Sequence, residues 1–123
     1  MKTASYTQRK NYVQYDEKHT VLYLNEQPCE IPNEETGESV SGFSYTGNMP
    51  DGGTLIEAEG VTDGNRRAKF VAGLIGTEYD IDAQIAILAN GDDTNEHADE
   101  HAAFLETRRL VKQAIDELLA RNI

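Results

Sequence analysis

The residues whose types and spacing come nearest to a reactive centre are His97, Glu100 and His101, in the run His97-Ala98-Asp99-Glu100-His101. Two histidines four residues apart share one face of a helix and can hold zinc, and a glutamate beside them can activate a metal-bound water. The spacing is the H-x-x-E-H of inverted zinc peptidases. A third ligand would have to come from a distant downstream helix, and only 22 residues follow His101. Such enzymes are also several times longer than this chain. At about 100° per residue, both histidines continue a stripe through Phe104, Val111 and Ile115. That placement makes them half-buried packing residues where the stripe fades. The expectation is no metal site, no cofactor and no catalytic residue.

The other constellations are weaker. Asn90-Gly91-Asp92-Asp93-Thr94-Asn95-Glu96 is acidic enough for calcium but lacks the alternating ligands and central glycine of a calcium loop. A turn with helix-capping acids accounts for it. Cys29 has no base near it in sequence, since His19 lies ten residues earlier with a strand between them. It reads as a free, partly buried thiol, and a single cysteine allows no internal disulfide. Gly52-Gly53 and Gly73-x-x-Gly76 match neither a P-loop nor a dinucleotide fingerprint. Arg66, Arg67 and Lys69 form a short basic cluster on a solvated helix face. Aromatic residues gather in the first half, at Tyr6, Tyr12, Tyr15, Tyr23, Phe43 and Tyr45. Aromatic side chains are favoured interface anchors. Because the aliphatic content of that half looks too thin to bury all of them, Tyr12, Tyr15, Phe43 and Tyr45 are the candidate partner contacts.

The pattern that positions these residues changes once along the chain. Residues 1 to about 62 read as β structure and loops. Thr20–Leu24, Cys29–Ile31, Val40–Thr46 and Thr54–Ala58 are the strand candidates, rich in β-branched and aromatic residues and separated by turn residues. Pro50-Asp51-Gly52 is a turn. The first fifteen residues could add an edge strand or be an arm docked on a neighbour. From Asp63 the period becomes helical. A first helix has Asp63 as N-cap and Gly76 as stop, burying Phe70 and Leu74. A second, capped by Asp80 and closed by Gly91, carries Ile81, Ile85 and Leu88 at i, i+4 and i+7. A third opens near Asp93 or Thr94 with an Asp93–Glu96 capping box and shows the stripe Phe104, Val111, Ile115, Leu118 and Leu119. Late positive charge on Arg109, Lys112 and Arg121 suits its dipole. Strands first and helices after argue α+β. The expected fold is a small antiparallel β-sheet followed by three helices, the last two forming a helical hairpin, in a single domain over 1–123. Ile81, Ile85 and Leu88 are expected to pack against Phe104, Val111, Ile115 and Leu118.

Charge and composition exclude several classes. The 123 residues carry a formal net charge of −11, which disfavours contact with nucleic-acid phosphates and with anionic membranes. No segment approaches the ~20 apolar residues that span a bilayer. The polar start, Met1-Lys2-Thr3-Ala4-Ser5-Tyr6, has no apolar run of signal-peptide length. A cytoplasmic product is expected, unless a secretion machine or a particle carries it elsewhere. The acidic surplus fits basic protein partners or, in principle, mimicry of nucleic acid.

Residues 52 to 118 carry a resemblance. Gly53-Thr54-Leu55-Ile56-Glu57-Ala58, then Phe70-Val71-Ala72-Gly73-Leu74-Ile75, then Tyr79-Asp80-Ile81-Asp82-Ala83-Gln84-Ile85-Ala86-Ile87-Leu88, and finally a long helix with Phe104, Arg108 and Lys112, resemble small proteins encoded among bacteriophage and prophage tail and tail-fibre genes. The resemblance rests on spaced apolar and aromatic positions and supplies no functional residues. It implies a virion-associated, structural or tail-assembly role without enzymatic chemistry, exercised through contacts with copies of itself or other particle subunits in an oligomer or larger assembly. The alternative from charge alone is a small acidic inhibitor of a host protein. Mimicry of nucleic acid needs the acids ranked along one face, and here they are scattered from Glu34 to Glu117.

Overall fold

The computed structural model describes residues 1–123. Six strands precede three helices: β1 (Lys2–Tyr6), β2 (Tyr12–Gln14), β3 (His19–Leu22), β4 (Gln27–Pro32), β5 (Ser39–Gly47), β6 (Thr54–Glu57), α1 (Arg66–Gly76), α2 (Ile81–Asn90) and α3 (Asn95–Ala120). This is the α+β order read from the sequence. The strands are divided between two three-stranded antiparallel sheets, ordered β1-β5-β4 and β2-β3-β6. The chain forms two compact units, one of Met1–Leu55 with Leu118–Ile123 and the other of Ile56–Glu117. The division lies inside β6, ahead of the compositional change near residue 62, and the end of the chain belongs with the first unit.

In the first unit β5 is the central strand of its sheet. Lys2 to Tyr6 face Gly47 to Phe43, and Gln27 to Pro32 face Ser44 to Ser39. The opening residues thus order within the chain's own sheets. β1 is one edge, and β2 is the edge of the second sheet, with Tyr12, Val13 and Gln14 opposite Leu22, Val21 and Thr20. β4 is the remaining edge of the first sheet and carries Pro28 and Pro32; proline lacks the N–H a central strand needs, so an edge is where it is tolerated. Asn25, at φ 56°, turns the chain between β3 and β4 and donates its side-chain amide to the Thr46 carbonyl at 3.0 Å. Asparagine tolerates this left-handed backbone better than most residues. The Pro50-Asp51-Gly52 turn forms as expected. The Met49 N–H reaches the Gly53 carbonyl at 2.9 Å, and Asp51 Oδ1 accepts from the Gly53 N–H at 2.9 Å.

In the second unit Asp80 caps α2 by accepting the Ala83 N–H at 2.7 Å, and Gly91 closes it at φ 57°. Two expected caps differ. The N-cap of α1 is Asn65, whose side chain folds back to the Thr62 N–H and the Gly60 carbonyl. Asp63 instead pairs with Arg66 at 2.9 Å. At α3 the cap is Thr94, accepting the His97 N–H at 3.1 Å, while Asp93 binds the His97 ring. The imidazole draws the Asp93 carboxylate away from the backbone, so the Asp93–Glu96 box does not form. Gly73 has a packing reason: a Cβ there would lie 2.4 Å from the Glu57 carbonyl oxygen. α1 therefore crosses β6 at backbone distance.

The buried residues of this unit include Ile56, Phe70, Val71, Ile75, Phe104, Val111 and Ile115, and Leu118 extends the α3 stripe into its last turn. The Tyr79 ring stands edge-on to Phe104, with centroids 5.0 Å apart and planes at 76°. The expected packing of Ile81, Ile85 and Leu88 against this stripe is not found. They are 67, 60 and 57% exposed, and α2 buries no residue. A different side of the helix is turned inward, and on it the Gln84 amide also donates to the Tyr79 carbonyl at 2.9 Å. Ala83, Gln84, Ile87 and Asn90 are the half-buried residues of α2. By helical geometry the Ile81–Ile85–Leu88 stripe lies about 140° from the middle of that set.

Candidate functional site

Two regions gather the side chains that could support function. The first is a tyrosine cluster in the first unit. Tyr6 and Tyr45 each lie 6.2 and 5.6 Å from Tyr23, in edge-on arrangements, and Tyr6 and Tyr45 are 6.2 Å apart. Such tilted and edge-on pairs favour the ring quadrupoles. Each hydroxyl has a partner. Tyr6 donates to the Asp51 carbonyl at 2.6 Å, Tyr23 to Asp51 Oδ2 at 2.8 Å, and Tyr45 to Glu26 Oε2 at 2.8 Å. Tyr45 also accepts the Lys10 N–H at 2.8 Å. Lys10 Nζ sits 4.5 Å from the Tyr6 ring centre and 5.2 Å from that of Tyr23. Burial, followed by the bond and charge of Asp51, pushes the Tyr23 hydroxyl far above the ordinary tyrosine range. Burial raises Tyr6 and Tyr45 as well. Hydroxyls held protonated and already donating are neither bases nor nucleophiles at neutral pH.

Beside the cluster, Glu26 accepts hydrogen bonds from Arg9 and Tyr45 and faces the Arg121 guanidinium. Arg9 reaches it through Nε at 3.1–3.2 Å and Nη2 at 2.8 Å, Tyr45 donates to it, and Arg121 Nε lies 3.5 Å away. Burial works to raise the Glu26 carboxyl, but the bonds from Arg9 and Tyr45 and the charges of Arg121 and Arg9 outweigh it and hold the group below the ordinary carboxylate range. Arg121, with 2% of its side chain exposed, donates Nη1 to the carbonyls of Tyr23 at 2.5 Å and Lys10 at 2.9 Å. Its guanidinium also lies 5.5 Å from the Tyr45 ring centre. Sequence reading gave Arg121 only a helix-dipole role. Its partners are 98 and 111 positions away, and no local pattern reports them.

The four candidate contact residues separate. Tyr45 is completely buried and builds the core, whereas Tyr15 is 59% exposed. Tyr12 and Phe43 are half-buried. Phe43 packs on the Val21–Tyr23–Tyr45 core with the Arg9 guanidinium 5.8 Å from its ring centre. His97 and His101 are half-buried on α3, and His97 Nδ1 is bonded to Asp93. No three His, Cys, Asp or Glu side chains converge in metal-binding geometry. Cys29 is half-buried in β4, opposite Gly42. In the basic cluster, Arg66 pairs with Asp63, and Arg67 grips Asp116 through two bonds of 2.6 and 3.1 Å.

The second region is the outer face of α2. Seven of its ten residues are apolar, in the order Ile-Asp-Ala-Gln-Ile-Ala-Ile-Leu-Ala-Asn, and the largest of them point outward apart from Ile87. From Thr77 to Glu100 the chain carries eight exposed carboxylates and neither Lys nor Arg. Asp80 and Asp82 stand at one end of the stripe, Asp92 and Asp93 at the other. The result is an exposed apolar strip bracketed by negative charge.

No protein-family model, no curated protein and no solved structure matches this chain. No helix is long and apolar enough to cross a membrane.

Proposed function

We propose that this protein acts without catalysis, through protein–protein contacts, as a structural or assembly component of a phage-like tail. The observation that carries the contact role is the outward stripe of α2. Ile81, Ile85 and Leu88 are each more than half exposed on a helix with no fully buried residue. Scattered exposed aliphatics are ordinary, but a contiguous apolar strip rimmed by polar groups is the usual mark of an interaction site. Val13 in β2 and Tyr15 just after it, 51 and 59% exposed, offer a second contact on the first unit. The tail setting comes from the resemblance of residues 52 to 118. It supports synthesis in a cytoplasm followed by incorporation into a particle.

The test is co-expression of the full chain with the products of the genes that flank it, followed by native mass measurement. A stoichiometric complex with a tail-gene product, or a defined homo-oligomer, is the expected result. A chain that stays monomeric with every neighbour would overturn the assembly role.

A further inference from the structure

The occupant of the α2 stripe can be argued from its chemistry. A helix offers a partner only side chains, because its backbone groups are already paired internally. A strand or loop laid on Ile81, Ile85 and Leu88 would leave its own N–H and C=O groups facing hydrocarbon. A second helix satisfies its backbone internally and can set a ridge of side chains against the stripe. From Ile81 to Leu88 the stripe runs about 10 Å along the axis, or two turns. That matches an amphipathic helix with anchors at i, i+3 or i+4, and i+7.

Charge then selects among helices. Carboxylates bracket the stripe at both ends, at Asp80 and Asp82 and at Asp92 and Asp93, and no Lys or Arg occurs from Thr77 to Glu100. A second copy of this chain docked face to face would bring one acidic rim against another. Anionic lipid would be repelled in the same way. A helix with Lys or Arg at both ends of its apolar stripe is attracted, and a mismatched one is rejected.

We propose that the Ile81–Ile85–Leu88 face of α2 is the docking site for a basic amphipathic helix of a partner protein. The inference rests on the protein-contact role proposed above and names its partner class. The direct probe is a labelled synthetic helix with Leu at i, i+3, i+4 and i+7 and Lys flanking the stripe, titrated with the full chain by fluorescence anisotropy. Three controls accompany it: the same peptide with Glu for Lys, a scramble of identical composition, and the chain carrying Ile85→Asp.

Saturable binding is expected for the Lys peptide, weakening as salt is added. The Glu peptide and the scramble should not bind, and Ile85→Asp should lower affinity about tenfold or more with the melting temperature little changed. Equal binding of the scramble, or binding indifferent to Ile85→Asp, would overturn the proposal. So would a concentration-dependent dimer in native mass that Ile85→Asp dissolves, since the occupant would then be a second copy. Binding to uncharged phosphatidylcholine vesicles, lost in Ile85→Asp, would overturn it in favour of lipid. These failures are distinct from failure of the assembly role. A native complex with a flanking gene product that survives Ile85→Asp would sink the docking site and leave the assembly role standing.

Discussion

Arg121 allows a sharp test of how the first unit is held. Its Nη1 bonds the Tyr23 and Lys10 carbonyls, and its Nε faces Glu26. A hydrogen bond from a charged donor contributes about 1.5–3 kcal/mol, and a buried carbonyl left without a donor costs about 1–3 kcal/mol. The two descriptions overlap, so Arg121→Ala should destabilise the unit by about 3–5 kcal/mol, the range for breaking a buried ion pair. Glu26 keeps Arg9 and Tyr45, which limits its own share. For a chain of this size the loss corresponds to a fall in Tm of about 10–20 °C. There is no Trp, so tyrosine near-UV circular dichroism reports the melting of the tyrosine cluster. The pH dependence gives an independent sign. Glu26 is held below its ordinary range in the folded state, so its contribution is fully present above the unfolded glutamate pKa and is lost as pH falls through the folded value. Without Arg121 the folded pKa rises, and the variant has less to lose on acidification. The gap between parent and variant should therefore narrow between neutral pH and about pH 3. Arg121→Met, which keeps the length and apolar stem, should be nearly as damaging. If both variants melt within about 0.5 kcal/mol of the parent, the end of the chain does not hold the tyrosine cluster in place.

Three further outcomes follow from geometry already described. Gly73→Ala lies inside a helix, where propensity alone would favour alanine by about 1 kcal/mol. The added Cβ would meet the Glu57 carbonyl oxygen, so we expect a net loss of about 1–3 kcal/mol; a stabilised variant in denaturant titration would show that α1 does not cross β6 so closely. Phe104→Ala should cost about 3–5 kcal/mol, because Phe104 is completely buried under Tyr79, whereas Ile85→Asp should cost less than about 1 kcal/mol; comparable losses in the two melts would mean that α2 packs its Ile81–Leu88 stripe inward after all. His97 should titrate above the ordinary histidine value, chiefly through its hydrogen bond to Asp93 and with help from the charges of Asp93, Glu100 and Glu96, against the opposing effect of burial. Its charged form is the one the fold favours, so this contribution is complete below the unfolded histidine pKa and is lost as pH rises through the folded one. An NMR titration that places His97 at its ordinary value, or one that Asp93→Asn leaves unmoved, would refute the pairing.

What was legible in the sequence divides along a physical line. The identity of β3 to β6 and of the three helices, the Pro50-Asp51-Gly52 turn, the Asp80 cap, the Gly91 stop and the α3 stripe all depend on neighbours within a turn or a strand and are legible, whereas the residues of β1 and β2 read equally as an edge strand or a docked arm. The rotation of α2 is not legible. On a helix with seven apolar residues in ten, periodicity offers more than one inward face, and hydrophobic spacing does not say which of them meets the rest of the unit. Tyr45, a candidate contact in the sequence, is instead buried, for a related reason. The aliphatic count of the first half looked too small to cover its aromatics, but Tyr6, Tyr23 and Tyr45 cover one another, and Asp51 and Glu26 satisfy their hydroxyls. Aromatic rings thus supply the core that aliphatic side chains looked too few to supply, and three of the exposed large aliphatics, Ile81, Ile85 and Leu88, share one stripe on α2. The exposed aliphatic stripe of α2, rather than the aromatics of the strands, is therefore what the proposed docking of a partner helix would bury.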